Sequence, residues 1–170
     1  MSNPFVVPTG QLFRHHGERA HVERRGPLPG LALSASHLVD GEDVVADLTL
    51  EAQGDTLMAS GTVSAHWEGE CRRCLRATDG ILAVEFREVF QPDPVEGETY
   101  LLDRDRVDLR PALREAIALA LPVAPLCDEA CAGPDPEAHP VTIESGLDEL
   151  DDTPPADPRW AALDELRFDS

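Results

Sequence analysis

Polar and apolar residues alternate along the middle of the chain with the period of two that marks a strand buried on one face. Val44, Ala46, Leu48, Leu50 and Ala52 alternate with Val45, Asp47, Thr49 and Glu51, and Gln53-Gly54-Asp55-Thr56 then reads as a turn. The next run is cleaner, with Leu57, Ala59, Gly61, Val63, Ala65 and Trp67 on one face and Met58, Ser60, Thr62, Ser64, His66 and Glu68 on the other. A third run sets Leu82, Val84, Phe86 and Phe90 against Glu85 and Arg87. One face on a core and one on water is what antiparallel sheets allow, and His66 reads as an exposed strand histidine. Phe5 to Val7 predicts a short edge strand, Thr9 a cap for a turn through Gln11-Leu12-Phe13, and Tyr100-Leu101-Leu102 another short strand.

After Asp108 the period becomes helical. Leu109, Leu113, Ala116, Ile117, Ala120 and Leu121 form one apolar stripe, with Arg110, Arg114 and Glu115 facing outward. Asp108 reads as the N-cap, Pro111 falls in the tolerant first turn, and Pro122 stops the helix. The stretch from Gly133 to Pro155 is rich in proline and acid. Asp157 and Pro158 then predict a short helix with Trp160, Leu163 and Leu166 on one face, suited to docking on its own domain or on a partner. The expected fold class is α+β, an antiparallel β-meander packed against one main helix. A single domain would span 1–133, a flexible acidic linker 134–155, and a short terminal helix 156–170.

Composition narrows the class. The 170 residues, 42% hydrophobic and 28% charged, suit a globular chain. No apolar run is long enough for a membrane span, and the first residues lack a basic and an apolar signal region, so the expected location is the cytoplasm. Net charge is -19, every basic residue is arginine, and the acids crowd toward the C-terminus. So acidic a chain gains little from neutralising phosphates over a broad face and suits a basic protein partner better. Near the N-terminus, Arg14, His15, His16, Arg19, His21, Arg24 and Arg25 form a basic arm, read either as a solvated loop or as a contact for a phosphate backbone.

Candidate chemistry lies in the four cysteines. Cys71-Arg72-Arg73-Cys74 sits between the second and third strands, and Cys127 and Cys131 follow the helix, with 52 residues between Cys74 and Cys127. Two thiolates at Cys-x-x-Cys spacing can reach one tetrahedral zinc, and a second pair would complete it. In a reducing compartment the residues leave three readings open: a metal site, plain reduced thiols, or a reversible thiol pair at Cys71 and Cys74. Arg72, Arg73 and Arg76 favour thiolates and make a basic spot in an acidic middle. No glycine follows Cys74, where many zinc knuckles place one. Phosphate-cradling glycine loops, H-E-x-x-H and G-x-S-x-G are all missing, so hydrolase and nucleotide-binding readings have no support.

The knuckle Cys71-Arg72-Arg73-Cys74-Leu75 after a strand, the helix from Asp108, Leu121-Pro122 leading to Pro125-Leu126-Cys127, and the ending Asp157-Pro158-Arg159-Trp160-Ala161-Ala162-Leu163 together resemble the YceD family. The resemblance runs from about Val44 to Leu163, toward members from high-GC Gram-positive bacteria. It implies a cytoplasmic, non-enzymatic role in accumulation or assembly of the large ribosomal subunit. Implied partners are a large-subunit ribosomal protein, with the small zinc-ribbon protein often encoded beside family members as a candidate, or precursor large-subunit RNA; membranes and DNA are not implied. Arg72, Arg73, Arg76, Arg14, Arg24, Arg25 and Trp160 are the candidate contacts. Many relatives carry a second compact knuckle, Gly-Leu-Cys-x-x-Cys-Gly, where this chain has Ala132-Gly133-Pro134-Asp135-Pro136-Glu137-Ala138-His139. Either the metal is lost, or Cys71 and Cys74 complete a zinc site with Cys127 and Cys131, with His139 as a substitute ligand. The competing readings are a thiol redox protein using Cys71 and Cys74, and an acidic adaptor unrelated to ribosomes.

Overall fold

A computed structural model describes residues 3–14, 18–135 and 137–138. His15, His16, His139, most of the expected linker and the expected terminal helix with Trp160 lie outside them. The chain divides into two compact units, Met1–Asp135 and Pro136–Ser170, and every element named here lies in the first. In chain order these are β1 (Val6–Pro8), β2 (Arg19–Gly26), β3 (Ser36–Leu38), β4 (Val44–Gln53), β5 (Thr56–Glu70), β6 (Ala77–Gln91), β7 (Tyr100–Asp103), β8 (Arg106–Asp108) and α1 (Arg110–Ala120). The strands make one sheet in the order β1-β8-β7-β6-β5-β4-β2, with β3 also paired to β5. All pairs are antiparallel except β6 with β7, which run parallel over two positions.

The expected alternation places the core. Val44, Ala46, Leu48, Leu50 and Ala52 of β4 and Leu57, Ala59, Val63 and Ala65 of β5 are buried, as are Leu82, Phe86 and Phe90 of β6. Helix α1 covers this face through Leu109, Ala112, Leu113, Ile117 and Leu121. Ala112, and not Ala120, faces inward, because the stripe turns with the helix toward the sheet. The cap also differs from expectation. Leu109 is the N-cap, and Asp108 Oδ1 accepts the Arg110 N–H at 2.9 Å from one residue further out. With Pro111 in the first turn one amide is already missing, so this carboxylate satisfies a donor that the helix leaves open.

Near the N-terminus the picture shifts further. Arg19–Gly26 is a regular edge strand paired with β4, and not a loop. Its Ala20 and Val22 pack toward the core, while Arg19 pairs with Glu51 at 2.9 Å and His21 lies 3.4 Å from Asp47. Alternating charge concealed a strand whose outer face bonds to its neighbour. Thr9 forms its turn through its carbonyl, which accepts the Leu12 N–H at 2.9 Å. Its buried hydroxyl has no hydrogen-bond partner among the described residues.

Strands β5 and β6 form one long hairpin, in register from Leu57 opposite Phe90 to Glu70 opposite Ala77. At ~3.3 Å per residue each strand runs about 50 Å. Gly61 sits where β5 crosses closest to β4. A Cβ there would collide with the Asp47 carbonyl oxygen, and φ is +154°. Toward the tip, Gly80 lies opposite Trp67 and leaves room for the indole, whose Nε1 would be 3.1 Å from a Cβ at that position. On the outer face His66 bridges Glu42 (Nδ1–Oε2 3.0 Å) and Asp79 (Nε2–Oδ2 3.3 Å). These bonds, to Asp79 first and Glu42 second, hold the imidazole above its usual pKa.

Two predictions follow from these contacts. Gly61→Ala is expected to destabilise the protein by about 2 kcal/mol or more, against about 1 kcal/mol for Gly54→Ala, which meets only the left-handed backbone cost. Denaturant titration of both variants checks the ranking. Because the folded His66 pKa is raised, its contribution is complete below the ordinary histidine value and fades as pH rises through the folded value. Asp79→Asn should therefore lower the His66 midpoint in an NMR titration; an unchanged midpoint would contradict the bridge.

Candidate metal centre

The β5–β6 register ends at Glu70 and Ala77, so the six residues Cys71 to Arg76 must close the hairpin. Their backbone turns tightly. Cys71 N–H donates to the Arg76 carbonyl at 2.9 Å, and Leu75 N–H to the Cys71 carbonyl at 2.8 Å. Leu75 takes the left-handed conformation, φ 59°, in the position where the sequence lacks a glycine. For a side chain with a Cβ this costs about 1–2 kcal/mol. The leucine is 69% exposed, so it recovers little through burial.

The second cysteine pair arrives by a short, anchored path. Pro122 ends α1, and its carbonyl accepts the buried Ser36 hydroxyl at 2.7 Å. Three residues later the Pro125 carbonyl accepts the Arg72 N–H at 2.9 Å, which sets this segment against the hairpin tip. Asp128 then turns the chain. Its Oδ1 accepts the Ala130 N–H at 2.7 Å and its carbonyl accepts the Cys131 N–H at 3.0 Å. The 52 residues between the pairs are therefore no obstacle, because they comprise β6, β7, β8 and α1, folded back on the same sheet.

All four sulfurs converge. They lie within 4.8 Å of one another, with Cys74 and Cys127 3.6 Å apart and Cys71 and Cys131 3.8 Å apart. A tetrahedral zinc thiolate with Zn–S of ~2.3 Å sets its sulfurs about 3.8 Å apart, whereas a disulfide needs ~2.05 Å. The four are free cysteines at the spacing of a thiolate cage, and this soft donor set fits a zinc ion. Cys71, Cys74 and Cys131 are buried, with Leu126 packed against them, while Cys127 is exposed.

Electrostatics agree with a shared-cation site. Backbone N–H groups of Cys127 and then Cys74 pull the Cys71 thiol down to about 5. The Arg76 side chain, whose Nε lies 3.3 Å from the sulfur, lowers Cys74. Cys127 is pushed up to about 12, chiefly by its contacts with the Cys131 and Cys74 thiols. Some sulfurs ionise readily and their neighbour resists, because crowded thiolates repel. A divalent cation removes that conflict.

The candidate arginines divide. Arg73 Nη1 donates to the Glu129 carbonyl at 2.9 Å and the Cys131 carbonyl at 3.0 Å, so it ties the two cysteine segments together. Arg76 holds Cys74 and reaches Cys127 at 4.0 Å. Arg72 bonds through its backbone and has an exposed side chain. Arg24 and Arg25 belong to β2, which β4 separates from the hairpin, and both bond to Glu23. Arg14 is exposed at the end of the first turn. The knuckle and the N-terminal arginines are thus separate surfaces. The bridging role of Arg73 was not readable from the sequence, since its acceptors are backbone carbonyls of a distant segment.

The profile described as "Large ribosomal RNA subunit accumulation protein YceD" matches residues 59–167, a span that includes all four cysteines. An uncharacterized protein of Mycobacterium tuberculosis strain H37Rv is 32% identical over 180 residues, covering 98% of this chain and 83% of its own. One from Mycobacterium leprae is 28% identical over 178 residues, covering 96% of this chain and 78% of its own. No solved structure matches the chain.

Relief of the Leu75 backbone makes the knuckle geometry testable. Leu75→Gly should stabilise the protein by up to about 1 kcal/mol, the left-handed cost less the added chain entropy of glycine. Thermal melts of wild type and variant check the sign, and a clear destabilisation would mean that the turn does not adopt this conformation.

Proposed function

Because the chain belongs to the YceD family of large ribosomal RNA subunit accumulation proteins, we propose that it supports accumulation or assembly of large-subunit ribosomal RNA by binding a ribosomal protein of that subunit, precursor RNA, or both. The family is non-enzymatic, and the role is one of binding. The profile match over residues 59–167, spanning the knuckle and the segment that returns to it, is the observation that carries this reading.

Charge apportions the partners. At a net -19 the chain repels an extended phosphate backbone, so RNA contact would be local, through the exposed Arg72 with Arg73 and Arg76, and through Arg14, Arg24 and Arg25. The acidic stretch after Gly133 suits a basic ribosomal protein such as the small zinc-ribbon one, with Trp160 on a terminal helix as the apolar contact. In this reading 134–155 is a linker and 156–170 the docking helix. Cys71, Cys74, Cys127 and Cys131 would hold zinc. Bound zinc would supply a structural cross-link and no reaction. The cysteines then fix the direction of the hairpin tip, and Arg73 keeps both segments in register. Among the described residues no helix is long and apolar enough to cross a membrane. A cytoplasmic location is part of the proposed role in assembling the large subunit.

Depletion of the protein in growing cells provides the test. Mature large-subunit RNA should fall relative to small-subunit RNA, and tagged protein should recover a large-subunit protein or precursor RNA, the two distinguished by nuclease treatment. Normal large-subunit RNA after depletion would overturn the proposal.

A further inference from the structure

We propose that Cys74 and Cys127 are a peroxide-sensitive thiol pair, at which oxidation replaces the metal by a covalent bond between the same two segments. The proposal rests on the zinc reading for what is released, and on sulfur geometry alone for which bond forms.

Three observations select this pair. Cys127 is the most accessible of the four cysteines, so an oxidant arriving from water meets its sulfur first. Its neighbour Cys74 is 3.6 Å away, closer than the 3.8 Å between Cys71 and Cys131. Arg76 reaches both sulfurs, at 3.3 Å and 4.0 Å, and holds them on one side of the turn. Formation of a disulfide then needs only the approach from 3.6 Å to ~2.05 Å.

The chemistry closes without a further reactant besides hydrogen peroxide. As a zinc ligand Cys127 would be held deprotonated despite its crowded neighbours; its thiolate then attacks one peroxide oxygen, an S–O bond forms, the O–O bond breaks, and hydroxide leaves to become water. Sulfur has lost two electrons as sulfenic acid. The Cys74 thiolate attacks that sulfur, an S–S bond forms, the S–O bond breaks, and the second hydroxide leaves as water. Two thiolates, one peroxide and two protons give one disulfide and two waters. Cys71 and Cys131 would be left as only two of the four thiolates able to hold zinc, too few to retain it. The segments stay joined, because the new bond links the knuckle to the stretch after α1 and the Arg73 bonds to the Glu129 and Cys131 carbonyls do not involve sulfur. Oxidation would then change metal content while keeping the hairpin tip tethered.

The test uses the purified full chain. Its zinc is measured first. A chain that carries none and takes up none overturns the zinc reading, while the disulfide map still decides the pair. Substoichiometric hydrogen peroxide is then added with a metallochromic dye present, followed by non-reducing peptide mapping. Trypsin cuts after Arg72, Arg73 and Arg76, and cleavage after Glu129 separates Cys127 from Cys131, so every pairing is distinguishable. The expected result is one zinc released per peroxide consumed and a first cross-link between Cys74 and Cys127. Cys127→Ser should abolish that cross-link. A first cross-link between Cys71 and Cys131 or within either segment, or Cys127 passing to sulfinic acid with no cross-link, would overturn the proposal. The wild-type map decides it even if the variant fails to fold.

Discussion

The ladder between β5 and β6 is the constraint on which the rest of the molecule depends. Its near end carries Leu57, Ala59, Val63, Phe86 and Phe90 into the core under α1. Its far end continues to Glu70 and Ala77 and leaves the knuckle as the only way to close. One register therefore determines both which side chains are buried and which six residues form the turn. A slip by one residue would put the polar face inward and carry Cys71 and Cys74 to the opposite side of the hairpin. The path after α1 relies on the same register, since Pro125 meets the Arg72 amide only where the turn now stands.

Much of this could be read from the chain because alternation, helical period and proline are local signals. β4, β5, β6 and α1 lie where their patterns put them, and the second cysteine pair closes on the first as a four-thiolate site requires. The misreadings share a cause. Arg19 to Gly26 looks like a charged loop because its partners, Glu51 and Asp47, are contributed by β4. Asp108 looks like the cap but acts from one residue outside it, since the helix begins behind Leu109. Leu75 in a glycine-like conformation has no signature in sequence, because the bonds that hold it run from Cys71 to Leu75 and Arg76. The parallel contact of β6 with β7 follows from the loop at 92–99, whose length does not reveal its direction.

The cysteines illustrate how a shortened motif can remain complete. Here the Cys127–Cys131 pair lies in an irregular turn built by Asp128, yet the sulfurs meet at the spacing of a thiolate cage. The surroundings compensate for the looser spacing. Ser36 fixes Pro122, Arg73 fixes Glu129 and Cys131, and Arg76 attends to Cys74, so the donors are held largely by hydrogen bonds outside the motif.

The strand misread as a loop also guards the sheet. Glu18 accepts from the Ala52 amide, and the register from Arg19 opposite Glu51 to Gly26 opposite Val44 continues that alternation. Even-numbered residues of β2 therefore bond to β4, and the amides and carbonyls of Arg19, His21, Glu23 and Arg25 point outward. Those four positions carry ionisable side chains, and Arg24 already occupies the Glu23 carbonyl. A foreign strand seeking this border would have to strip water from a row of charges and displace a guanidinium. The border thus resists edge-to-edge aggregation, with charge on the strand that would otherwise offer itself for pairing.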